Sequence, residues 1–580
     1  MALCLAGCTG PQKEYSLSSN ISISNADTLA GTCQFNSIFT DITPSTNIKF
    51  KHFTGAFTQT DASLSRYMPE SIGSGVAIFD YDNDGDQDIL AMNSTVFPGG
   101  EPAGVITVPR LFRNDGNLVF EDVTEQALPN NPIYGMGVTA ADYNSDGYVD
   151  LLFTAWGNVR LLSNTGNGQF KDVTEEVGLF SEYRQSPVNK LTTEWSTAAV
   201  FFDADGDQDL DLFVSHYVRW SPDTDVFITL DFKQKAYSSP RSYAGNTPQL
   251  YLQEQGQFVE HTQEAGIFQP TGKALGVALW DFDNDGRLDI VVANDAMRNF
   301  AYHNLGGGRF EEQAMELGLA YDENGRARAG MGIDIADYAN NGDMAVAIGN
   351  FSKEPTSFFI SKNGQHFRES SQQMGVASAT YHALTFGLLF ADLDLDGWLD
   401  LVMANGHVQP GIEQVYADES YRQAAIILKN DSGKGFTDVS KCSGDAILKP
   451  IVGRGLAAGD LDGDGDLDLV FSENAGSIRV LRNDIDGSNY IRIHLKGDSP
   501  NTQAIGARLE VKSNDIVQRR IVRTGSSYLS QSELVQTFGL GHAPRVEYVR
   551  VIWPNGDVKE IINPPINQQL TLSQASAGRY

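Results

Sequence analysis

A nine-residue pattern, Asp-x-Asp-x-Asp-Gly-x-x-Asp set between two apolar runs, recurs seven times along the 580-residue chain. The first copy carries Asp80, Asp82, Asp84 and Asp88, and the second Asp142, Asn144, Asp146 and Asp150. The third, Asp203, Asp205, Asp207 and Asp211, keeps its carboxylates but has Gly206 at the fourth place and Gln208 at the sixth. Asp281, Asp283, Asp285 and Asp289 form the fourth, and a decayed fifth begins at Asp337 with Ala339 and Ala345 where Asp is expected. Clean copies return at Asp392, Asp394, Asp396 and Asp400 and at Asp460, Asp462, Asp464 and Asp468. The starts lie 62, 61, 78, 56, 55 and 68 residues apart. So long a period, with strand-like runs around each copy, means a propeller or an array and not a string of separate domains.

A second series, an apolar strand closing in Phe-x-Asp-x-Thr/Ser, interleaves with the first. It stands at Phe39, Phe120, Phe170 and Phe436, with weaker versions at Phe258, Phe310 and Phe367. This series also has seven members, but it starts before the first Asp loop and has none after the last. A closed ring accounts for the offset, because the strand at Phe39 then completes the blade whose loop begins at Asp460 and leaves no open edge. The expected fold is all-β: a seven-bladed β-propeller over residues 36–485, closed by its N-terminal strand, with a smaller β-rich segment over 486–580.

Carboxylates at places one, three, five and nine of a tight turn converge on a point, and with a backbone carbonyl at place seven they supply hard oxygen ligands for Ca²⁺. Gly at place six allows the positive φ of so sharp a turn. An EF-hand is excluded, because its twelfth position requires Glu and these loops have Ala91 and Val292 there. Zinc is disfavoured, since the loops offer neither His nor Cys. Five or six calcium sites are expected and none in the decayed fifth loop. The seven loops hold 28 of the 74 acidic side chains. Much of the net charge of −32 is therefore ligand, and so acidic a chain does not hold nucleic acid.

The chain starts MALCLAGCTG, in which Leu5-Ala6-Gly7-Cys8 resembles a lipobox that makes Cys8 the lipidation site. The seven preceding residues are too few for a full export signal, so the leader reads as truncated. Residues 1–35 then form signal and polar tether, with an alternating stretch at Tyr15–Ile23 able to add as a strand to another sheet. Cys33 and Cys442 remain as a candidate disulfide of an oxidising compartment, or as two separate buried thiols. No apolar run of about 20 residues spans a membrane.

On these loops the chain resembles FG-GAP/VCBS repeat proteins, the propeller type also found in integrin α subunits. From about Tyr490 it is similar to the ASPIC and UnbV domain. That likeness rests on Asn501, Ile505-Gly506-Ala507, Gly525-Ser526-Ser527-Tyr528-Leu529-Ser530-Gln531, Phe538-Gly539-Leu540-Gly541 and Val551-Ile552-Trp553-Pro554-Asn555-Gly556. The resemblance implies a calcium-binding propeller followed by a small domain. The alternating strands Tyr490–Leu495 and Val546–Ile552, broken by Gly, Pro and Asn, read as a β-sandwich.

No Ser/His/Asp triad context, phosphate loop or CxxC knuckle is present. His407, in Ala404-Asn405-Gly406-His407-Val408, lines the channel or one face in one reading and is a packed core residue in the plainer one. His303 stands where Arg113 and Arg482 stand in other copies, so it reads as a repeat substitution and not a ligand. The long interval before Asp281 holds an aromatic and basic insertion, 217–247, with Trp220 and Tyr237. It reads as a contact surface for glycan or protein, or as a self-packed loop. The preferred function is a calcium-stabilised, non-catalytic extracellular or cell-surface protein, an outer-membrane lipoprotein or a secreted one. It would mediate adhesion or self-assembly with protein, glycan or its own copies. The alternative is an extracytoplasmic enzyme or binding protein acting on polysaccharide.

Overall fold

The computed structural model describes residues 35, 38–57, 65–97, 107–116, 118–179, 194–230, 234–362 and 364–574. Cys8 and Cys33 lie outside the described residues, whereas Cys442 is disulfide-bonded.

Each Asp loop joins the first two strands of a four-stranded antiparallel sheet. In blade one these strands are Val76–Phe79, Asp88–Ala91, Arg110–Asn114 and Phe120–Asp122, paired in chain order. The first strands of blades two to seven are Gly135–Ala141, Ser196–Phe202, Ala274–Trp280, Ile333–Ala336, Thr385–Ala391 and Gly453–Gly459. Almost every residue in them is buried, because each packs between the matching strands of both neighbours; hence they read as continuous apolar runs and not as alternation. The contacts form a closed circuit in which blade seven returns to blade one.

Closure follows the offset of the two series. Blade seven supplies Gly453–Gly459, Asp468–Glu473 and Ile478–Asn483, and its fourth strand is Phe39–Asp41. Phe39 lies opposite Asn483 and Asp41 opposite Leu481. The ring therefore has no edge strand where it closes, and separating its ends would break backbone hydrogen bonds.

The C-terminal segment forms two sheets. In one, Asn489–Lys496 runs between Gln536–Gly541 and Gln569–Ser573. The other orders Ile516–Ile521, Arg508–Ser513, Tyr548–Ile552 and Val558–Ile562. Ile491, Ile493, Leu509, Val511, Phe538 and Val551 are among the side chains of their common core.

Between these sheets the chain leaves the sandwich and enters the propeller axis. Gly525, Ser526, Ser527 and Leu529 all take positive φ, which coils the segment tightly. Arg523–Glu533 then meets the first strand of every blade. In blade one, Val76 N–H donates to Ser530 Oγ (3.1 Å) and Ile78 N–H to the Gln531 carbonyl (3.0 Å). In blade two, the Gln531 amide brackets Ala140, accepting from its N–H (3.0 Å) and donating to its carbonyl (2.8 Å). Thr524 Oγ1 likewise accepts from Phe201 N–H and donates to its carbonyl in blade three, both at 2.8 Å. Arg523 reaches the Leu279 carbonyl of blade four (3.1 Å), and Ser527 exchanges backbone bonds with Ile333 of blade five. Tyr528 packs edge-on against Phe386 of blade six at 4.9 Å, and Glu533 N–H donates to Ala458 of blade seven (3.2 Å). The axis is thus a polar-capped core and not an open channel on this side.

A sequence signal for this plug exists: Gly stands five residues before the first Asp of every loop except the third, where Ala198 replaces it. A Cβ on Gly75 would stand 1.8 Å from the Leu529 carbonyl oxygen, and one on Gly137 3.0 Å from the same atom. The close approach is to backbone, which cannot swing aside. Gly75→Ala is expected to lower stability by about 1–3 kcal/mol in denaturant melts. An unchanged midpoint would mean that the plug is not seated in solution.

Candidate metal loops and the axis

Place one of each loop is the hub of the turn. Asp80 accepts from the N–H groups of Asp84 (3.2 Å) and Gly85 (3.0 Å), and Asp281 repeats this with Asp285 and Gly286. Places four and six both take positive φ, at Asn83 and Gly85 in blade one. The sequence pattern accounts for the second of these only. In blade three the assignment is reversed, with Gly206 at place four and Gln208 holding φ 78° at place six.

Place nine ties the loop to the sheet. Asp88 accepts from Tyr81 N–H at one oxygen (2.8 Å) and from Asn114 N–H, on the third strand, at the other (2.7 Å). Asp150, Asp211, Asp289, Asp400 and Asp468 make the equivalent pair of bonds. The third-strand side chain then crosses to the preceding blade and donates to the carbonyl at place two of its loop. Asn114 reaches Leu461 (2.8 Å), Asn164 reaches Tyr81 (2.8 Å), and Gln253, Asn304, Asn430 and Asn483 repeat the step. Six loops are therefore latched to the following blade, and the blade-four loop, which would face Ser361, is not. Sequence reasoning passed over these amides, although Phe112-Arg113-Asn114 and Leu481-Arg482-Asn483 displayed them. In decayed blade five both ends of the latch are gone together: Ala345 replaces the carboxylate and Ser361 the amide, whose hydroxyl accepts from Met344 N–H instead (2.8 Å).

Places one and three, with place five or nine, bring together oxygens that could hold a metal. Three carboxylates bring one oxygen each within 4.8 Å of one another in five loops, at Asp80/Asp82/Asp88, Asp203/Asp205/Asp211, Asp281/Asp283/Asp285, Asp392/Asp394/Asp396 and Asp460/Asp462/Asp464. Asp84 and Asp207 are exposed at their loop tips. Blade two is outside this set, because Asn144 takes place three, with its amide nitrogen on Ser163 (3.1 Å) between Asp142 and Asp146. Buried oxygens of Asp82, Asp392 and Asp394 have no hydrogen-bond partner among the described residues. Burial, reinforced by the neighbouring carboxylates, pushes Asp88 up to about 9 and Asp150 to about 8. All-oxygen cages with unpartnered atoms and mutually repelling charges fit a hard divalent cation.

Basic side chains enter some of these loops. His303, set aside from its place in the repeat, rests its Nδ1 3.0 Å from Asp289 and its Nε2 3.8 Å from Asp283. From the C-terminal sandwich, Arg508 pairs with Asp281 (3.0 Å), Arg519 with Asp337 (3.2 Å) and Arg492 with Asp460. Thr502 hydrogen-bonds Asp142, and Gly539 N–H donates to Asp392 (3.0 Å). Several residues that carry the domain resemblance are thus those that meet the propeller.

The insertion and His407 sit beyond the opposite ends of the strands from the Asp loops, and here the structure favours the self-packed loop and the packed histidine over a displayed ligand surface formed by Trp220, Tyr237 and His407. Trp220 is fully buried, its Nε1 on Asp225 (2.9 Å) and its ring 5.3 Å from Tyr67. Tyr237 is buried, with its backbone bracketed by the Gln409 amide. Lys235 is consumed by Asp225 at 2.7 Å. The insertion is largely self-packed, and Phe227 is its exposed aromatic among the described residues, at 69%. Burial and then the Arg454 charge push His407 down to about 4, so its ring is neutral, accepting from Gln409 N–H (3.0 Å). Nearby, burial pushes Glu70 up to about 7, against hydrogen bonds from Ser65 and Tyr237.

Two tests follow from this geometry. Asn164→Ala leaves the buried Tyr81 carbonyl without its donor and is expected to cost about 1–3 kcal/mol in denaturant unfolding, whereas Ser361→Ala, in the blade without a latch, costs less. Glu70 binds its proton more tightly folded than unfolded, so its contribution is greatest below its ordinary value of 4.5 and falls as pH rises toward 7. Glu70→Gln should remove that decline, gaining up to about 3 kcal/mol relative to the native chain at pH 8 compared with pH 4. Parallel pH–stability curves for the two proteins would contradict it.

Comparison with known proteins agrees with the architecture. The FG-GAP-like repeat family matches residues 96–153, 142–214, 223–292 and 281–348, and the ASPIC and UnbV family matches 497–579. Cartilage acidic protein 1 of Homo sapiens is 25% identical over 511 residues, covering 84% of this chain and 70% of the relative. The Xenopus tropicalis protein of that name is 24% identical over 529 residues, covering 87% and 74%. Among solved structures, an Agrocybe aegerita lectin recognising non-reducing terminal N-acetylglucosamine aligns at 15% identity and TM-score 0.34, over 63% of this chain and 81% of that one. No helix among the described residues is long and apolar enough to cross a membrane. With seven Asp-loop blades and a C-terminal domain seated on them, the chain belongs to the FG-GAP-like repeat proteins that carry an ASPIC and UnbV domain.

Proposed function

We propose that the protein is a calcium-stabilised, non-catalytic component of the cell surface or extracellular space that mediates adhesion or assembles with its own copies. The observation that carries this reading is the set of five oxygen cages in the loops, four of them latched to a neighbouring blade. Asp, Asn and backbone oxygens in such a turn suit calcium, and ion binding at a latched loop stiffens two blades at once. Calcium is abundant outside the cell, so a scaffold that depends on it is rigid where adhesion occurs. Filling of the axis by Arg523–Glu533 favours use of the outer faces over chemistry in a channel. Lipidation at Cys8 would place that scaffold on the outer membrane, with protein, glycan or a second copy as partner.

Calcium added to the chelator-treated full chain should raise the melting temperature, each site contributing roughly 2.7 kcal/mol at 100 times its Kd. Sedimentation of the same samples should show larger species in calcium, or retention on glycan- or protein-coated beads should depend on it. A melting temperature indifferent to both calcium and chelator would overturn the structural role of the ion.

A further inference from the structure

The residue before the latch position differs from blade to blade: Arg113, Ser163, Leu252, His303, Ile360, Lys429 and Arg482. In blades one and seven the arginine turns away from the cage. Arg113 binds Asp115 (2.7 Å) and Glu121 (2.8 Å), and Arg482 forks onto Asp484. Blade six has a comparable outer carboxylate, Asp431, but it accepts from Thr437 (2.7 Å). A lysine has no planar fork to match that carboxylate, and its compact head reaches inward instead. Lys429 Nζ lies on Asp394 and, at 2.8 Å, on Asp396. These are places three and five of the cage, two of the three carboxylates that cluster there.

Blade six is also the most enclosed of the loops. Asp392 and Asp394 are both buried, whereas place three is partly or fully exposed in blades one, three, four and seven. The C-terminal sandwich covers it, with Gly539 N–H on Asp392 (3.0 Å) and Gly541 N–H on the Leu395 carbonyl (2.7 Å). An ammonium on a tether pays no translational cost to stay in such a cage, whereas a divalent ion must displace it and enter past the cover. The arginines of the cover pair with place-one carboxylates alone, Arg508 with Asp281, Arg519 with Asp337 and Arg492 with Asp460, whereas Lys429 spans places three and five.

We propose that Lys429 is the resident cation of blade six, so that the ring takes five calcium ions, in blades one to four and seven, while blade five lacks the ligands that Ala339 and Ala345 replace and blade six holds Lys429 in place of the ion. The inference rests on the calcium reading above. Its cage is otherwise complete, and the unpartnered oxygens of Asp392 and Asp394 would accept an ion once the ammonium is gone.

The test is the calcium content of full-length native protein and Lys429→Met, each stripped with chelator, equilibrated in calcium and counted by mass spectrometry of the metal. The expected result is five ions per native chain and one more in the variant. Equal contents in the two proteins overturn the proposal, and no calcium in either overturns the calcium reading with it. Should the variant fail to fold, acetylation of native protein decides: Lys429 is expected to stay protected to the same degree with and without calcium. A rise in its labelling on calcium saturation would show that the ion displaces it and would overturn the proposal.

Discussion

The carboxylate at place nine of each loop holds this fold together. One of its oxygens fixes the start of its own loop and the other fixes the third strand of its own sheet, and the latch amide that begins there grips the loop of the preceding blade. A buried carboxylate satisfied by backbone donors is a rigid joint, and six such joints arranged in a circle turn local hairpins into a ring. Blade five shows the dependence from the other side. There the carboxylate and the amide are lost as a pair, since either alone would leave a buried polar group without its partner.

Upon that ring the C-terminal sandwich acts as a cover with a central pin. Its pin satisfies backbone groups on the inner strands that a bare propeller would expose to a water-filled channel. Its rim touches the place-one carboxylates of blades two, four, five, six and seven. The same Asp that organises a candidate metal loop therefore also receives the cover, so an ion bound there would act on domain seating as well. Burying Arg492 against Asp460 and Glu533 without either acid would leave an unpaired charge in the interior, so the cover and the ring specify one another.

Much of the architecture was legible because it is periodic. The Asp spacing set the blade count, and the one-place offset of Phe39 against Asp460 set the closure that the Phe39–Asn483 pairing displays. The pin was not legible in the same way, since a single segment meeting seven strands has no period, and its one trace is the Gly five residues before the first Asp in six of the seven loops. The insertion stayed open between two readings because aromatic and basic residues serve equally for a contact surface and for self-packing; the Trp220 and Lys235 contacts separate the two. Lys429 was invisible for a different reason: it stands 33 residues from Asp396, and its inward reach depends on how the strand faces the loop.

The most direct test of the whole account is anomalous scattering from crystals grown in calcium, with metal density inspected loop by loop. The account predicts ions in the loops starting at Asp80, Asp142, Asp203, Asp281 and Asp460, no ion at Asp337, and the Arg523–Glu533 segment seated in the axis. Density in the Asp337 loop, or empty cages under an ordered cover, would contradict it.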